Sequence, residues 1–187
     1  MSMSQARVKS KVILLRRLRR LHRWLGIPLM LFFLVIGVTS VLLAWKKKME
    51  LLPATQKSEL LSDQKEWISP VQMIEIAKSE MMKKGESTEV DRIDIRPDKG
   101  IAKVTFKTHF SEVQLDGFSG EVLSVETRHS DWIEKVHDGS IVDYYFWQSE
   151  TAKLTYSSAT AFGLILMSIS GFYLWYFPKR IRKLKQS

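Results

Sequence analysis

The sequence predicts an α+β protein with two transmembrane helices and a small extracytoplasmic domain of one helix on an antiparallel sheet between them. Three observations predict it. Two uncharged runs are long enough to cross a bilayer, every acidic residue lies within 46–156, and that stretch carries a helix signal followed by alternating strand signals.

Residues 1–23 read as a basic amphipathic helix. In VILLRRLRRLHR (12–23), Leu15, Leu18 and His22 lead into Leu25, Leu29, Phe32 and Ile36 at a 3–4 spacing, with arginines on the other faces. Such a helix is expected to lie along the inner leaflet before it enters the membrane, its arginines attracting anionic lipid headgroups at about 1 kcal/mol each. Nucleic acid is the competing partner for a run of arginines, but a basic run that touches a span is read as a topology anchor, and no nucleic-acid partner is expected.

Residues 24–45, WLGIPLMLFFLVIGVTSVLLAW, form the first expected span. At 1.5 Å per residue it reaches about 33 Å, against a hydrocarbon core of about 30 Å. A cleaved signal peptide has a shorter apolar region and an A-x-A-like site, which the following WKKKMELLPA lacks. The second span is placed at 154–178 and a basic tail at 179–187. Trp24, Trp45 and Trp175 sit at span ends, where the headgroup layer suits their rings. Eight basic residues precede the first span and five follow the second, with no acid in either flank. The positive-inside rule therefore puts both termini in the cytoplasm of a multi-pass protein of the bacterial inner membrane. Lys46, Lys47 and Lys48 are the one contrary signal.

Residues 46–66 lack a strong period and read as a linker. The domain is placed at 67–128. Ser69-Pro70 opens a helix as N-cap and N1, Val71, Ile74, Ala77, Lys78 and Met81 continue it, and Gly85 stops it. Strand-like pieces follow at 90–95, 102–107, 113–116 and 122–125, separated by the turns Pro97–Gly100 and Asp116–Gly120. One helix covering about four antiparallel strands is the economical arrangement. Residues 129–153 read as an interfacial segment: a short helix at 130–138, then DGSIVDYYFWQ, in which Ile141, Tyr144, Tyr145, Phe146 and Trp147 form an aromatic cluster. That cluster suits a belt resting on the outer leaflet or a docking surface for a partner or apolar ligand.

These residues also carry a resemblance. The helix from Ser69, the strands, and VQLDGFSGEVLSVE (113–126) resemble the PepSY domain. RLHRWLGI (20–27), WIEKVHDGSI (132–141) and GLILMSISGFYLW (163–175) resemble the flanks and spans of PepSY-associated transmembrane proteins. The resemblance covers residues 15–180. It implies a membrane-anchored accessory or binding component on the periplasmic side, a class also proposed to inhibit peptidases. Larger four-span relatives resemble haem-bearing inner-membrane reductases that release iron from siderophores. The alternative is therefore a haem-binding electron-transfer protein linked to iron acquisition, acting as a homodimer or with a membrane partner. If the chain is an enzyme, the resemblance implies a haem-dependent ferric-siderophore reductase component. With two spans it departs from those relatives.

His22 and His137 stand where the resemblance places L-H-x-x-x-G and H-x-G motifs, which makes them the candidate ligands of a haem b. The topology sets them at opposite faces of the bilayer, about 30 Å apart, so one iron within one chain takes only one of them. Each also has an ordinary structural role, His22 as an interfacial ring and His137 at a helix C-terminus. His109 is expected on an exposed strand position and His129 after the last strand. His137, Asp138 and Asp143 are close in sequence but lack a metal-ligand spacing, so no metal site is expected.

In the second span Ala159, Gly163, Met167 and Gly171 recur every four residues beside Ser168 and Ser170. In the first, Phe33, Gly37, Val41 and Ala44 lie near one face with Ser40. Small residues let helices approach, so these faces pack the spans on each other or on a second copy. The chain has no cysteine, which excludes disulfides, thiolate zinc sites and a cysteine nucleophile. No charge lies inside either span, which argues against an ion or proton path built by this chain alone.

Overall fold

The computed structural model describes residues 3–60, 66–147, 149 and 151–186. Residues 61–65 of the expected linker, and Gln148 in the aromatic segment, lie outside the described residues, as does the Trp147 side chain. The chain forms two compact units, residues 1–40 with 135–187, and residues 41–134.

The first unit is helical. α1 (Met3–Ala44) runs unbroken for 42 residues with Pro28 inside it, and α5 (Thr151–Gln186) for 36 with Pro178 inside it. The basic segment 12–23 therefore continues the first span rather than forming a separate helix beside it. Ser10–Ala44 and Thr151–Arg180 are long and apolar enough to cross a membrane. Their outward faces carry large apolar side chains at more than half exposure, among them Leu31, Leu34, Val38, Phe162, Ile165 and Ile169. Burying one such side chain is worth about 1.5–3 kcal/mol, so these faces call for a lipid solvent.

Contact between α1 and α5 follows a different stripe from the expected one. Leu15 is buried, and Leu18, His22, Leu29 and Ile36 are partly buried, as their spacing required. Leu25 is exposed and Gly26 takes its place, while Phe32, though 43% exposed, meets Tyr156 of α5 edge to face at 5.8 Å. A strict 3–4 repeat drifts around a straight helix, and the contact line moves one residue with it. On α5, Gly163 lies against Leu29 and Met167 against Gly26. A Cβ at Gly163 would stand 2.6 Å from Leu29 Cδ2, so the helices approach this closely only because the residue is glycine. Of the expected first-span face Phe33 is partly buried, whereas a Cβ at Gly37 would meet nothing within 4 Å and Val41 is exposed. Ala159 is also exposed, and Thr160 is the buried residue there.

α3 (His129–Asp138), the single turn α4 (Ser140–Val142) and a π-helical turn at Asp143–Trp147 lead into α5. The buried Asp143 carboxylate accepts the backbone N–H of Ala152 at 3.0 Å and of Lys153 at 2.8 Å. It thus caps the first turn of α5, where two orphan donors and the positive end of the helix dipole meet.

The second unit is one helix on a four-stranded antiparallel meander. α2 (Pro70–Lys83) starts with a capping box between Ser69 and Gln72. It stops where Gly85 N–H bonds the Met82 carbonyl and Glu86 N–H the Met81 carbonyl, a Schellman closure. Strands β1 (Val90–Arg96), β2 (Ile101–Phe106), β3 (Ser111–Asp116) and β4 (Val122–Thr127) pair in sequence order. Two apolar rows cross the sheet, Ile93–Val104–Val113–Val125 and Ile95–Ala102–Leu115–Val122. Met73, Ala77 and Met81 of α2 pack on them, all at 0% exposure. The helix phase differs from expectation by a small rotation. Val71 is 69% exposed, and Met73 holds the core position.

The stretch expected as a linker instead packs, over 51–60, on the opposite, polar face of the sheet. Gln114 Nε2 donates to the Ala54 carbonyl at 2.9 Å, and Gln114 Oε1 accepts the Gln56 N–H at 2.9 Å. Ser58 N–H bonds the Lys99 carbonyl, and Ser130 N–H the Leu51 carbonyl. With a helix on one face and this strap on the other, β2 and β3 are buried at every position. The turn DGFSG is built around Asp116, whose Oδ1 accepts the N–H groups of Phe118 and Ser119, both at 2.9 Å. Gly117 lies under the Trp67 ring, where a Cβ would stand 2.2 Å from a ring carbon.

Candidate functional site

The two histidines singled out from the sequence each tie one helix to another within the membrane unit. His22 Nδ1 lies 2.7 Å from Ser170 Oγ on α5. His137 Nδ1, on α3, lies 2.9 Å from Thr39 Oγ1 on α1. In both cases the hydroxyl already spends its single hydrogen on its own helix: Ser170 on the Leu166 carbonyl at 2.6 Å, Thr39 on the Val35 carbonyl at 2.7 Å. Each ring therefore meets a hydroxyl that also bonds a carbonyl of its own helix. No protein group among the described residues hydrogen-bonds either Nε2.

The structure keeps these rings apart. His22 sits on α1, and His137 meets α1 seventeen residues further on, at Thr39. That separates them by about 25 Å along the helix axis. A haem ligated by both within one chain does not fit. The remaining histidines lie in the second unit. His109 lies in the turn after β2 rather than on a strand, stacked on Phe106 at 5.5 Å, with Nε2 donating to the Ser87 carbonyl at 3.0 Å. His129 opens α3 and is exposed. Among the described residues no group of three histidine and carboxylate side chains is placed to hold a metal ion. Asp138 pairs instead with Lys153 at 3.0 Å. Burial pushes the Asp138 carboxyl up, but hydrogen bonds from Ser140 and the Lys153 ammonium outweigh it and hold the carboxyl below its ordinary value.

The interfacial aromatics are exposed. Trp24 is 74% exposed and Trp45 and Trp175 more than half. Lys48 lies over the Trp45 ring and Lys179 over the Trp175 ring, so a cation accompanies an indole at the end of each span. Tyr144 meets Tyr145 edge to face at 4.9 Å and carries Lys135 over its ring. Tyr145 and Phe146 are exposed. An apolar groove of about 640 Å³ runs between α1, α3 and α5, lined by Leu31, Val35, Val136, Ile141 and Tyr156 among others.

The second unit holds a polar constellation that the sequence pattern did not isolate. Two polar rows cross the sheet face under the strap, Asp94–Lys103–Gln114–Ser124 and Arg92–Thr105–Glu112–Glu126. Glu112 is completely buried. It accepts from Lys103 Nζ at 3.0 Å, from Gln114 Nε2 at 2.9 Å and from the Arg128 guanidinium. Arg128 also binds Asp131 at 2.7 Å. Burial pushes the Arg128 guanidinium down, and the two carboxylates more than restore its affinity for the proton. Lys103 further donates to Thr55 Oγ1 of the strap at 3.1 Å. Beside this network lies a cleft of about 690 Å³. The contrary Lys46 and Lys47 line it, and they were the one visible trace of it in the sequence.

Residues 19–186 match the family model described as the PepSY-associated TM region. No curated protein matches the chain.

Proposed function

This chain belongs to the PepSY-associated TM region family, and from that premise we propose that it is an accessory or binding component anchored in the bacterial inner membrane. Both termini face the cytoplasm, and the sheet domain works on the periplasmic side. The segregation of charge supports the orientation: thirteen basic residues and no acid flank the spans, and all 20 acids lie between. The observation that carries the binding role is a folded sheet domain, bounded in sequence by two lipid-facing helices, with an open cleft of about 690 Å³ on its polar face. A photo-crosslinking residue at Val71 or Met82, each 69% exposed, tests the role in cells. A discrete protein adduct is expected. Its absence from every exposed position of the domain contradicts the reading.

One observation favours a second reading, haem-bearing electron transfer in iron acquisition. His22 and His137 each have Nδ1 within hydrogen-bond distance of a hydroxyl on another helix, the kind of outer contact that orients a histidine for ligation. Because one chain does not bring the two together, the second axial ligand would come from another copy or a membrane partner. The visible spectrum of detergent-purified protein, with and without dithionite, tests it. A b-type band that His22→Ala or His137→Ala abolishes supports this reading. A colourless preparation from haem-replete cells removes it.

A further inference from the structure

We propose that the cleft on the polar face of the sheet is a binding site for a phosphate-type oxyanion, carried on a lipid headgroup or on a soluble ligand. The stretch 41–134 holds 17 acidic and 14 basic residues, so the unit as a whole is acidic. The cleft reverses that balance. Seven cationic side chains line it against the three carboxylates of Asp94, Asp98 and Glu112.

The cations fall into two groups. All four arginine and lysine side chains of the first group are paired with carboxylates, Arg96 with Asp94, Lys103 and Arg128 with Glu112, and Arg92 with Asp91 at 2.5 Å and Asp131 at 3.7 Å. Lys103 and Arg128 form a largely buried floor, Arg92 and Arg96 are half exposed at its edge, and the guanidinium groups retain further donors, since each fork carries five. Lys46, Lys47 and Lys99 make no ion pair among the described residues, yet all three reach the same cleft. Three lysines lining one cleft, with Asp98 as the one carboxylate there that no ion pair occupies among the described residues, leave a net positive charge. An anion bearing several acceptor oxygens offsets that charge and uses the vacant donors. The volume admits a headgroup.

Two further observations agree. The strap is tied down by Lys103, Gln114 and the Lys99 carbonyl, so the wall that carries Thr55 is fixed before a ligand arrives. Lys46 and Lys47 also follow the last residue of α1, Ala44, by two and three positions. Chain connectivity alone keeps their Cα atoms within about 11 Å of the end of the span, within reach of phospholipid headgroups. It also explains why Lys46 and Lys47 follow the first span against the usual charge bias.

The proposal deepens the reading of this domain as a binding module, and the two fail separately: crosslinking tests the module, anion titration its ligand. The experiment titrates the detergent-solubilised full chain with dihexanoyl phosphatidylglycerol, inorganic phosphate and dihexanoyl phosphatidylcholine in separate calorimetric runs. Saturable 1:1 binding of the anionic probe is expected, weakened at least tenfold in K46Q/K47Q/K99Q and unchanged in K78Q/K83Q/K84Q, which removes equal charge from α2. Binding of phosphatidylglycerol alone assigns the site to a lipid. Binding of inorganic phosphate with the same variant dependence assigns it to a soluble anion. Saturation by neither, equal binding of phosphatidylcholine, or equal weakening in the α2 variant overturns the proposal.

Discussion

Replacing Glu112 by glutamine puts the buried charge network to a direct test. The wild-type carboxylate, at 0% exposure, faces only donors: the Lys103 ammonium, the Arg128 guanidinium and the Gln114 amide. A glutamine keeps the shape but turns an NH2 group toward one of them, donor against donor. Lys103 then has no counter-charge at 7% exposure, while Arg128 retains Asp131. Breaking one partner of a buried pair costs about 3–5 kcal/mol, because the other charge stays buried and uncompensated. For a unit of this size, about 1 kcal/mol moves the midpoint by about 4–8 °C, so the full chain should lose at least about 12 °C of its domain transition. Thermal unfolding in detergent, followed by near-ultraviolet circular dichroism, reads it. K103M/E112Q should recover most of the loss, since the stranded ammonium is gone. A fall of less than about 1 kcal/mol for Glu112→Gln, or a double variant no better than the single, would refute the reasoning.

Other outcomes follow from the same contacts. Gly117→Ala drives a methyl into the Trp67 ring and should cost about 1–3 kcal/mol by overpacking, with Trp67→Leu restoring part of it in the double variant. Ser170→Ala removes a histidine's partner between α1 and α5, and Thr39→Val one between α1 and α3; each should weaken its helix contact by about 0.6 kcal/mol, up to about 2, read by denaturation in mixed detergent. Asp116 is pushed up by burial, yet hydrogen bonds from Ser58, Ser119 and Phe118 hold its carboxyl below the ordinary value. Its contribution to stability is therefore present above about pH 3.9, the unfolded value, and lost as pH falls through the lower folded value. Acid titration of unfolding should show Asp116→Asn less stable than wild type at neutral pH, the two converging at the acid end.

The spans, the capped helix and the strand pairs were legible because each rests on a local period or a local cap. Ser69-Pro70 and Gly85 bracket α2 by backbone chemistry alone. The phase of each helix face was less legible. Gly26 replaces Leu25 because the contact line depends on which residues the facing helix offers, here Met167, and no single-helix period contains that. The strap was invisible for a related reason. Residues 51–60 have no period because they form no ladder; their order comes from side chains such as Gln114 and Lys103, some 50–60 residues away. The histidines were visible as candidates and the topology already set them at opposite faces of the bilayer; their partners Ser170 and Thr39 required the fold.

Because the chain has no cysteine, single-cysteine labelling tests the central claim directly: two spans, both ends in the cytoplasm, and the sheet domain on the other side. Ser2→Cys, Lys84→Cys and Ser187→Cys are each exposed in spheroplasts to a membrane-impermeant maleimide. The account predicts labelling of Lys84→Cys in intact spheroplasts, and of the two terminal variants only after lysis. Labelling of either end without lysis, or protection of Lys84→Cys, contradicts it.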